Sequence, residues 1–186
     1  GVSRLQPGCS VLVLGSGPVG ILIAQVAKAF GALHVSCTDL FDKALSVAKE
    51  VGIDNPIDVR AVNIIPLMLA NTQNVGVDII FDTVGSAETQ EQALRLLAGG
   101  GTLVNMVSHT DQLTYSLMDI SGEKHITGSS NNLYSDVLTA IKLLAAGRVQ
   151  VKPIITHRVP LTEVSKGFDI LLDRSKSNAL KVIVLP

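Results

Sequence analysis

Val11-Leu12-Val13-Leu14-Gly15-Ser16-Gly17-Pro18-Val19-Gly20 decides the fold, because four apolar residues run straight into a G-x-G-x-x-G turn and then into a helix. An apolar run without alternation suits a strand buried on both faces, as in a parallel sheet covered by helices. Gly15 is expected to permit the tight turn, Gly17 to let the backbone approach a pyrophosphate, and Gly20 to let the helix pack close to the strand. Pro18 stands at the first helical position, where a missing N–H costs nothing. The N–H groups of that first turn, with the helix dipole, would then face phosphate.

The residues around the motif separate a dinucleotide-binding turn from a glycine-rich loop that binds nothing. The helix extends to about Phe30, Gly31 ends it, and His34-Val35-Ser36-Cys37-Thr38-Asp39 reads as a second strand. Asp39 falls roughly 20 residues beyond the motif, the spacing of an acid that accepts hydrogen bonds from the adenosine ribose. Its charge would repel a 2′-phosphate. Leu40-Phe41 offers no adjacent cation and Lys43 is the nearest base, so NAD is expected rather than NADP.

Strands and helices then alternate. Asp42 is expected to cap a helix whose Ala44, Leu45, Val47, Ala48 and Val51 form a stripe, and a short third strand lies around Ile57. A helix from Asn63 to about Gln73 tolerates Pro66 in its first turn. Val77 to Asp82 is a fourth strand, Ser86 caps a helix running to about Ala98 that stops in Gly99-Gly100-Gly101, and Thr102 to Val107 is a fifth strand. Leu113 to Ile120 is expected to form one or two helical turns, and His125 to Gly128 a sixth strand. Ser135 then caps a helix with Val137, Leu138, Ile141, Leu144 and Ala145 inward, ended by Gly147. This order predicts an α/β fold: a doubly wound, six-stranded parallel sheet with strand order 3-2-1-4-5-6. Residues 151–186 break the alternation and are not expected to complete another crossover unit; their apolar strands look built to pair outside the nucleotide domain.

Ligands of such sheets bind in the crevice beyond the carboxyl ends of the strands. The candidate cofactor-binding residues are therefore Gly15, Ser16, Gly17, Pro18, Val19, Gly20, Asp39, Thr83, Val84, Gly85, Val107, Ser108, His109, Ser129, Ser130 and Asn131.

Composition narrows the function classes. A formal net charge of -1 with scattered basic residues leaves no electrostatic footprint for nucleic acid or an anionic membrane. Apolar segments are interrupted well short of the roughly 20 residues of a membrane span. Cys9 and Cys37 belong to no C-x-x-C pair and read as small buried hydrophobes, compatible with a reducing cytoplasm. A short-chain dehydrogenase would need Tyr-x-x-x-Lys, but Tyr115 is followed by Asp119 and Tyr134 by Leu138. A methyltransferase would carry an acid in its first strand, and Val11 to Leu14 has none.

VLVLGSGPVG, the aspartate of CTDL, GVDIIFDTVG, AGGGTLVNM and LAAGRVQVKPIITHRVPLTEVSKGFDIL follow one another in an order and spacing that resembles the second half of the zinc-type medium-chain dehydrogenases, nearest the sorbitol, threonine and related polyol or secondary alcohol branch. The resemblance implies a Rossmann domain over 1–150 and, over 151–186, a return segment of a catalytic domain absent from this chain. It implies hydride transfer between a secondary alcohol carbon and C4 of nicotinamide, with a zinc ion in the absent domain acting as Lewis acid. Val19 would pack behind the nicotinamide, Asp39 would hold the adenosine ribose, and the Val107 and Ser129 loops would meet the carboxamide end. Four separated histidines and two separated cysteines offer no ligand cluster, so no catalytic or metal residue is expected here. Polyol-branch members often carry an arginine and an aromatic residue after strand six, where this chain has Asn131 and Asn132, which departs from the polyol pattern. The zinc-free quinone and enoyl reductase branch usually prefers NADPH, against which Asp39 weighs. The alternative from another class is a stand-alone NAD(H)-sensing module without catalysis. A homo-oligomer paired through the sixth-strand edge is expected, since edge strands offer free backbone groups.

Overall fold

The structure is a computed structural model that describes residues 3–108 and 114–186. Six strands, β1 (Ser10–Leu14), β2 (His34–Asp39), β3 (Asn55–Asp58), β4 (Val77–Asp82), β5 (Leu97–Asn105) and β6 (His125–Gly128), form one sheet in the order β3-β2-β1-β4-β5-β6. Every neighbouring pair is parallel. The doubly wound sheet expected from the sequence is the fold observed.

β1 shows why its four apolar residues do not alternate with polar ones. Val11 and Val13 enter a core with Ile21, Ala24 and Ala27 of α1 (Pro18–Ala29) and Ala44, Val47 and Ala48 of α2 (Asp42–Glu50). Leu12 and Leu14 enter a second core with Ile64 and Met68 of α3 (Ile64–Asn71) and Ala93, Leu94 and Leu96 of α4 (Ala87–Leu96). Each face of the strand thus has its own helical layer. Burying such a side chain fully stabilises by roughly 1.5–3 kcal/mol, so this strand anchors the domain from both sides.

Local signals hold at the starts of α3 (Ile64–Asn71) and α4 (Ala87–Leu96). The Asn63 side chain accepts from Ile65 N at the head of α3, and Ser86 Oγ accepts from Thr89 N at the head of α4. Asp42 differs. It is the first residue of α2, preceded by Phe41, and its carboxylate pairs with Arg60 instead of capping the helix. Ser135 likewise lies inside α5 (Tyr134–Ala145), where the Asp136 carboxylate accepts from Leu133 N at 2.9 Å and supplies the cap.

The glycine run also departs from expectation. α4 ends at Leu96, and β5 begins at Leu97 and continues through Gly99-Gly100-Gly101 to Asn105. The register between β4 and β5 shifts between Val77 and Ile79, drawing the backbones together. A Cβ at Gly101 would lie 3.0 Å from Asp78 O, so the glycine serves close strand approach rather than a helix stop. Of the segment from Leu113 to Ile120, Leu113 lies outside the described residues. The part that follows forms turns rather than a helix, with Ser116 N donating to Asp119 Oδ2 at 2.7 Å.

Beyond β6 the expectations need two corrections. No residue of α5 is buried, and Val137, Leu138, Ile141 and Leu144 are exposed, so the stripe faces outward. The tail does complete a crossover unit: β7 (Ile155–Pro160) and β8 (Lys181–Leu185) pair in parallel as a two-stranded sheet, connected through α6 (Val164–Leu172) and α7 (Arg174–Ser177). Gly167 of α6 lets that helix sit against Val159 and Val182, where a Cβ would lie 3.2 and 3.4 Å away. Ile154 and Leu180 join the α1/α2 core, which seats the unit on that face of the main sheet.

Candidate functional site

β1 and β4 are neighbours whose following helices pack on opposite faces of the sheet, α1 in one core and α4 in the other. A crevice opens at the carboxyl ends of strands at such a switch point. The loops entering it are Gly15 to Gly20 after β1, Asp39 at the end of β2, Thr83 to Gly85 after β4, Val107 and Ser108 after β5, and Ser129 to Asn131 after β6. His109 lies outside the described residues.

The three glycines of the first loop do three different things. Gly15 has φ +95°, and a Cβ there would stand 2.5 Å from Thr83 Oγ1. At Gly20 a Cβ would stand 1.9 Å from Gly15 O, so only glycine lets α1 start this close to the strand. At Gly17 nothing lies within 4 Å of the corresponding position. That open space adjoins the head of α1, where Pro18 is the first residue and no side chain caps the helix. The first-turn N–H groups of Val19 and Gly20 are therefore left without a side-chain cap.

Ser16 serves the frame rather than the crevice. It is fully buried, and its Oγ donates to Thr38 O at 2.9 Å. Its backbone N–H donates to Asp39 Oδ2 at 2.8 Å, while Asp39 Oδ1 accepts from Leu40 N at 2.8 Å and Phe41 N at 3.0 Å. Asp39 thus joins the glycine loop to the turn after β2 and closes that turn, combining a cap with its place at the crevice rim. Cys37 lies two residues deeper in β2, where burial pushes its thiol up to about 11.

Thr83 Oγ1 donates to Leu14 O at 2.9 Å and Gly15 O at 3.3 Å, fixing the β4 loop to the glycine loop. Val19 and Val84 are exposed at the crevice, Val107 is half-buried, Ser108 is exposed, and Asn131 has φ +63°. Ser129 N donates to Asn105 O at 2.9 Å, which places the β6 loop against the end of β5.

Two features lay outside the sequence reading. Leu40-Phe41 does have a neighbouring cation: the Arg174 guanidinium lies 4.8 Å from the centre of the Phe41 ring, brought there by the C-terminal unit. Asp82, Gln90 and Asn105 form a buried polar cluster under the β4 and β5 loops. A charged residue ending the otherwise apolar run Val77 to Phe81 was the available signal for it only in part, since Asp78 breaks the same run. Further along the rim, Arg60 donates to Asp58 at 2.9 and 2.7 Å, and its hydrogen bonds hold the Asp58 carboxyl down at about 2.

The described residues bring no three His, Cys, Asp or Glu side chains together in a way that could hold a metal ion. His125 Nε2 meets Arg4 at 2.8 Å and His157 Nδ1 meets Thr156 Oγ1 at 3.0 Å, in separate places. Among the described residues, no helix is long and apolar enough to cross a membrane.

Comparison with known proteins agrees with this geometry. Sorbitol dehydrogenase 1 of Saccharomyces cerevisiae is 30% identical over 169 residues, covering 87% of this chain and 47% of that protein. L-threonine 3-dehydrogenase of Bacillus licheniformis is 29% identical over 193 residues, covering 100% of this chain and 54% of that protein. A solved zinc-binding dehydrogenase from Sinorhizobium meliloti bound to NADP superposes with a TM-score of 0.87 at 28% identity, covering 99% of this chain and 54% of that one. The chain spans about half the length of the curated relatives it matches. These relatives act on different substrates, and no single branch stands out among them. The model of the family described as zinc-binding dehydrogenase matches residues 18–146, more than half of the chain, and the chain belongs to that family.

Proposed function

We propose that this chain is the NAD(H)-binding part of a zinc-dependent alcohol dehydrogenase of the sorbitol and threonine dehydrogenase branch, which moves hydride between a secondary alcohol or polyol and nicotinamide. The observation that carries the reading is the open position at Gly17, set between the uncapped head of α1 and the Asp39 carboxylate. Pyrophosphate fits the first and a ribose diol fits the second.

In this reading Gly15, Ser16, Gly17, Pro18, Val19 and Gly20 form the phosphate loop. Gly15, Ser16 and Gly20 shape it, and Gly17, Pro18 and Val19 border the ligand. Asp39 accepts from the adenosine ribose and disfavours a 2′-phosphate, so NAD is proposed although the Sinorhizobium meliloti relative holds NADP. Thr83, Val84, Gly85, Val107, Ser108, His109, Ser129, Ser130 and Asn131 border the nicotinamide half, with Val19 behind the ring. Nicotinamide held there would accept or return a hydride. The residues of this chain orient it and keep water from one of its faces.

Residues 1–150 are proposed as the cofactor domain and 151–186 as the segment that returns to a catalytic half, where the zinc ligands would reside. The outward apolar stripe of α5 and the open edges of the β7/β8 sheet support such a neighbour. The β6 edge supports a twofold dimer, and the cytoplasm suits the two unpaired thiols.

The test is a titration with NADH and NADPH, followed by the cofactor's own fluorescence. NADH should bind at least about tenfold more tightly than NADPH, a difference of about 1.4 kcal/mol. Failure to bind either would overturn the cofactor reading. An intact mass near 19.6 kDa for the native protein isolated from its own cells would overturn the dehydrogenase reading and favour a binding module.

A further inference from the structure

Asp82, the last residue of β4, is fully buried, and its carboxylate joins no ion pair among the described residues. Hydrogen bonds hold it instead. Its Oδ1 accepts from the backbone N–H groups of Val84 and Gly85, both at 2.9 Å. Its Oδ2 accepts from Thr89 Oγ1 at 2.9 Å and Gln90 Nε2 at 2.5 Å. The same Gln90 amide donates to Asn105 Oδ1 at 2.6 Å, at the end of β5.

A carboxylate without a counter-ion is costly to bury, and an apolar pair of similar volume would close the ends of two strands more cheaply. What the carboxylate does that an apolar group cannot is to gather two successive backbone N–H groups and two side-chain donors at once. The result is a turn with its N–H groups drawn inward, Gly85 at φ +73° and Val84 exposed over the crevice. Gln90 extends the arrangement sideways. Met106 N donates to Asp82 O and Ser129 N donates to Asn105 O, both at 2.9 Å, so the exits of β4, β5 and β6 share one buried network.

In a doubly wound sheet the β4 to β6 half is the mononucleotide unit that takes the second nucleotide, which is the nicotinamide side when the first half takes adenosine. From this we infer that Asp82 and Gln90 are positioning residues for the nicotinamide half of the cofactor: they set the spacing between the Val84 and Val107 loops without touching the ligand. This rests on the NAD(H) reading above.

The test compares NADH with ADP-ribose, which keeps the adenosine, pyrophosphate and second ribose but lacks nicotinamide. Asp82→Asn and Gln90→Met should each weaken NADH binding about tenfold and ADP-ribose binding less than about twofold. The double variant Asp82→Asn/Gln90→Glu moves the carboxylate to the other side of the same hydrogen bond. The introduced amide can still accept from Val84 and Gly85 N–H and can donate to the introduced carboxylate, so most of the NADH affinity should return. Retained ADP-ribose binding reports that each variant is folded. Equal loss of both ligands without rescue, or no loss of either, would overturn the inference. A wild-type chain that binds neither ligand would overturn the cofactor reading beneath it.

Discussion

The Gln25 side-chain amide pairs with the backbone of Gln150 as a neighbouring strand would, donating to its carbonyl at 3.0 Å and accepting from its N–H at 2.6 Å. Gln25 is buried on a helix that is otherwise almost wholly apolar, and Gln150 lies where the chain leaves α5 for the C-terminal unit. Gln25→Leu removes both partners of one backbone unit, a loss of about 1–3 kcal/mol for a group left unsatisfied. The cost should appear as faster amide exchange across residues 151–186, with Val11 to Leu14 still slow. Unchanged exchange in the tail would show that Ile154 and Leu180 seat the unit without this pair.

Gly17 and Gly20 are expected to separate folding from binding within one loop. Gly20→Ala drives a methyl into Gly15 O, which is backbone and cannot swing aside, so unfolding stability should fall by about 1–3 kcal/mol or more. Gly17→Ala meets nothing in the chain and has φ -65°, which any residue adopts. Its stability in urea should match the parent, while NADH titration should show at least about a tenfold loss, because the methyl occupies the proposed pyrophosphate space. Equal NADH affinity in that variant would remove the proposed pyrophosphate from this loop.

Local signals in the chain carried the central sheet but not its surroundings. Val11 to Leu14 reads as a strand buried on both faces because nothing polar interrupts it, and Asn63 and Ser86 announce their helices through side-chain oxygens that act two or three residues away. Gly99 to Gly101 is ambiguous in sequence, since glycine both ends helices and allows close strand approach; Asp78, more than 20 residues away, decides which. The period of Val137, Leu138, Ile141 and Leu144 gives a helix face without saying what covers it. The Asp82, Gln90 and Asn105 cluster and the Arg174 to Phe41 contact join residues from separate elements, and no spacing rule links them.

Asp39 is predicted to govern which phosphate pattern the adenosine end accepts. Asp39→Asn keeps an acceptor for Leu40 and Phe41 N–H but discards the charge and turns an amide NH2 toward Ser16 N–H, so the sheet should persist while the link to the glycine loop is lost. NADH affinity should fall about tenfold, in line with hydrogen bonds to a charged group contributing about 1.5–3 kcal/mol, and the preference over NADPH should shrink. Parallel titrations with the two cofactors check this. An undiminished preference would assign discrimination to another part of the rim.

Cys37 sets a pH dependence on the alkaline side. Burial raises its thiol from 9.0 to about 11, ahead of the opposing hydrogen bond with Ser16 and the supporting charge of Asp39. The unfolded chain releases this proton near pH 9, whereas the folded chain keeps it until about 11. Between those values the folded state binds more protons, so stability falls as pH rises through that window and is fully present below it. Urea unfolding at successive pH values should show this decline in the parent and a shallower one in Cys37→Ala. Identical slopes would place the alkaline titration elsewhere.

The outward stripe of α5 should respond to a charge in opposite ways depending on what accompanies the chain. Ile141 is 56% exposed and Leu138 42%, so Ile141→Lys and Leu138→Lys place an ammonium in water and should change stability by less than about 0.5 kcal/mol. Leu12→Ala, which empties space in a core residue that is 0% exposed, should by contrast cost about 2–5 kcal/mol. If a catalytic half covers α5 in the native protein, as proposed, the same lysines become buried charges there and should lower the thermal midpoint of the longer protein by several degrees, since an uncompensated buried charge costs about 3–5 kcal/mol. Thermal unfolding of both lengths distinguishes the cases. Lysines without effect in the longer protein would leave the stripe in water and the catalytic half, where present, seated on another surface.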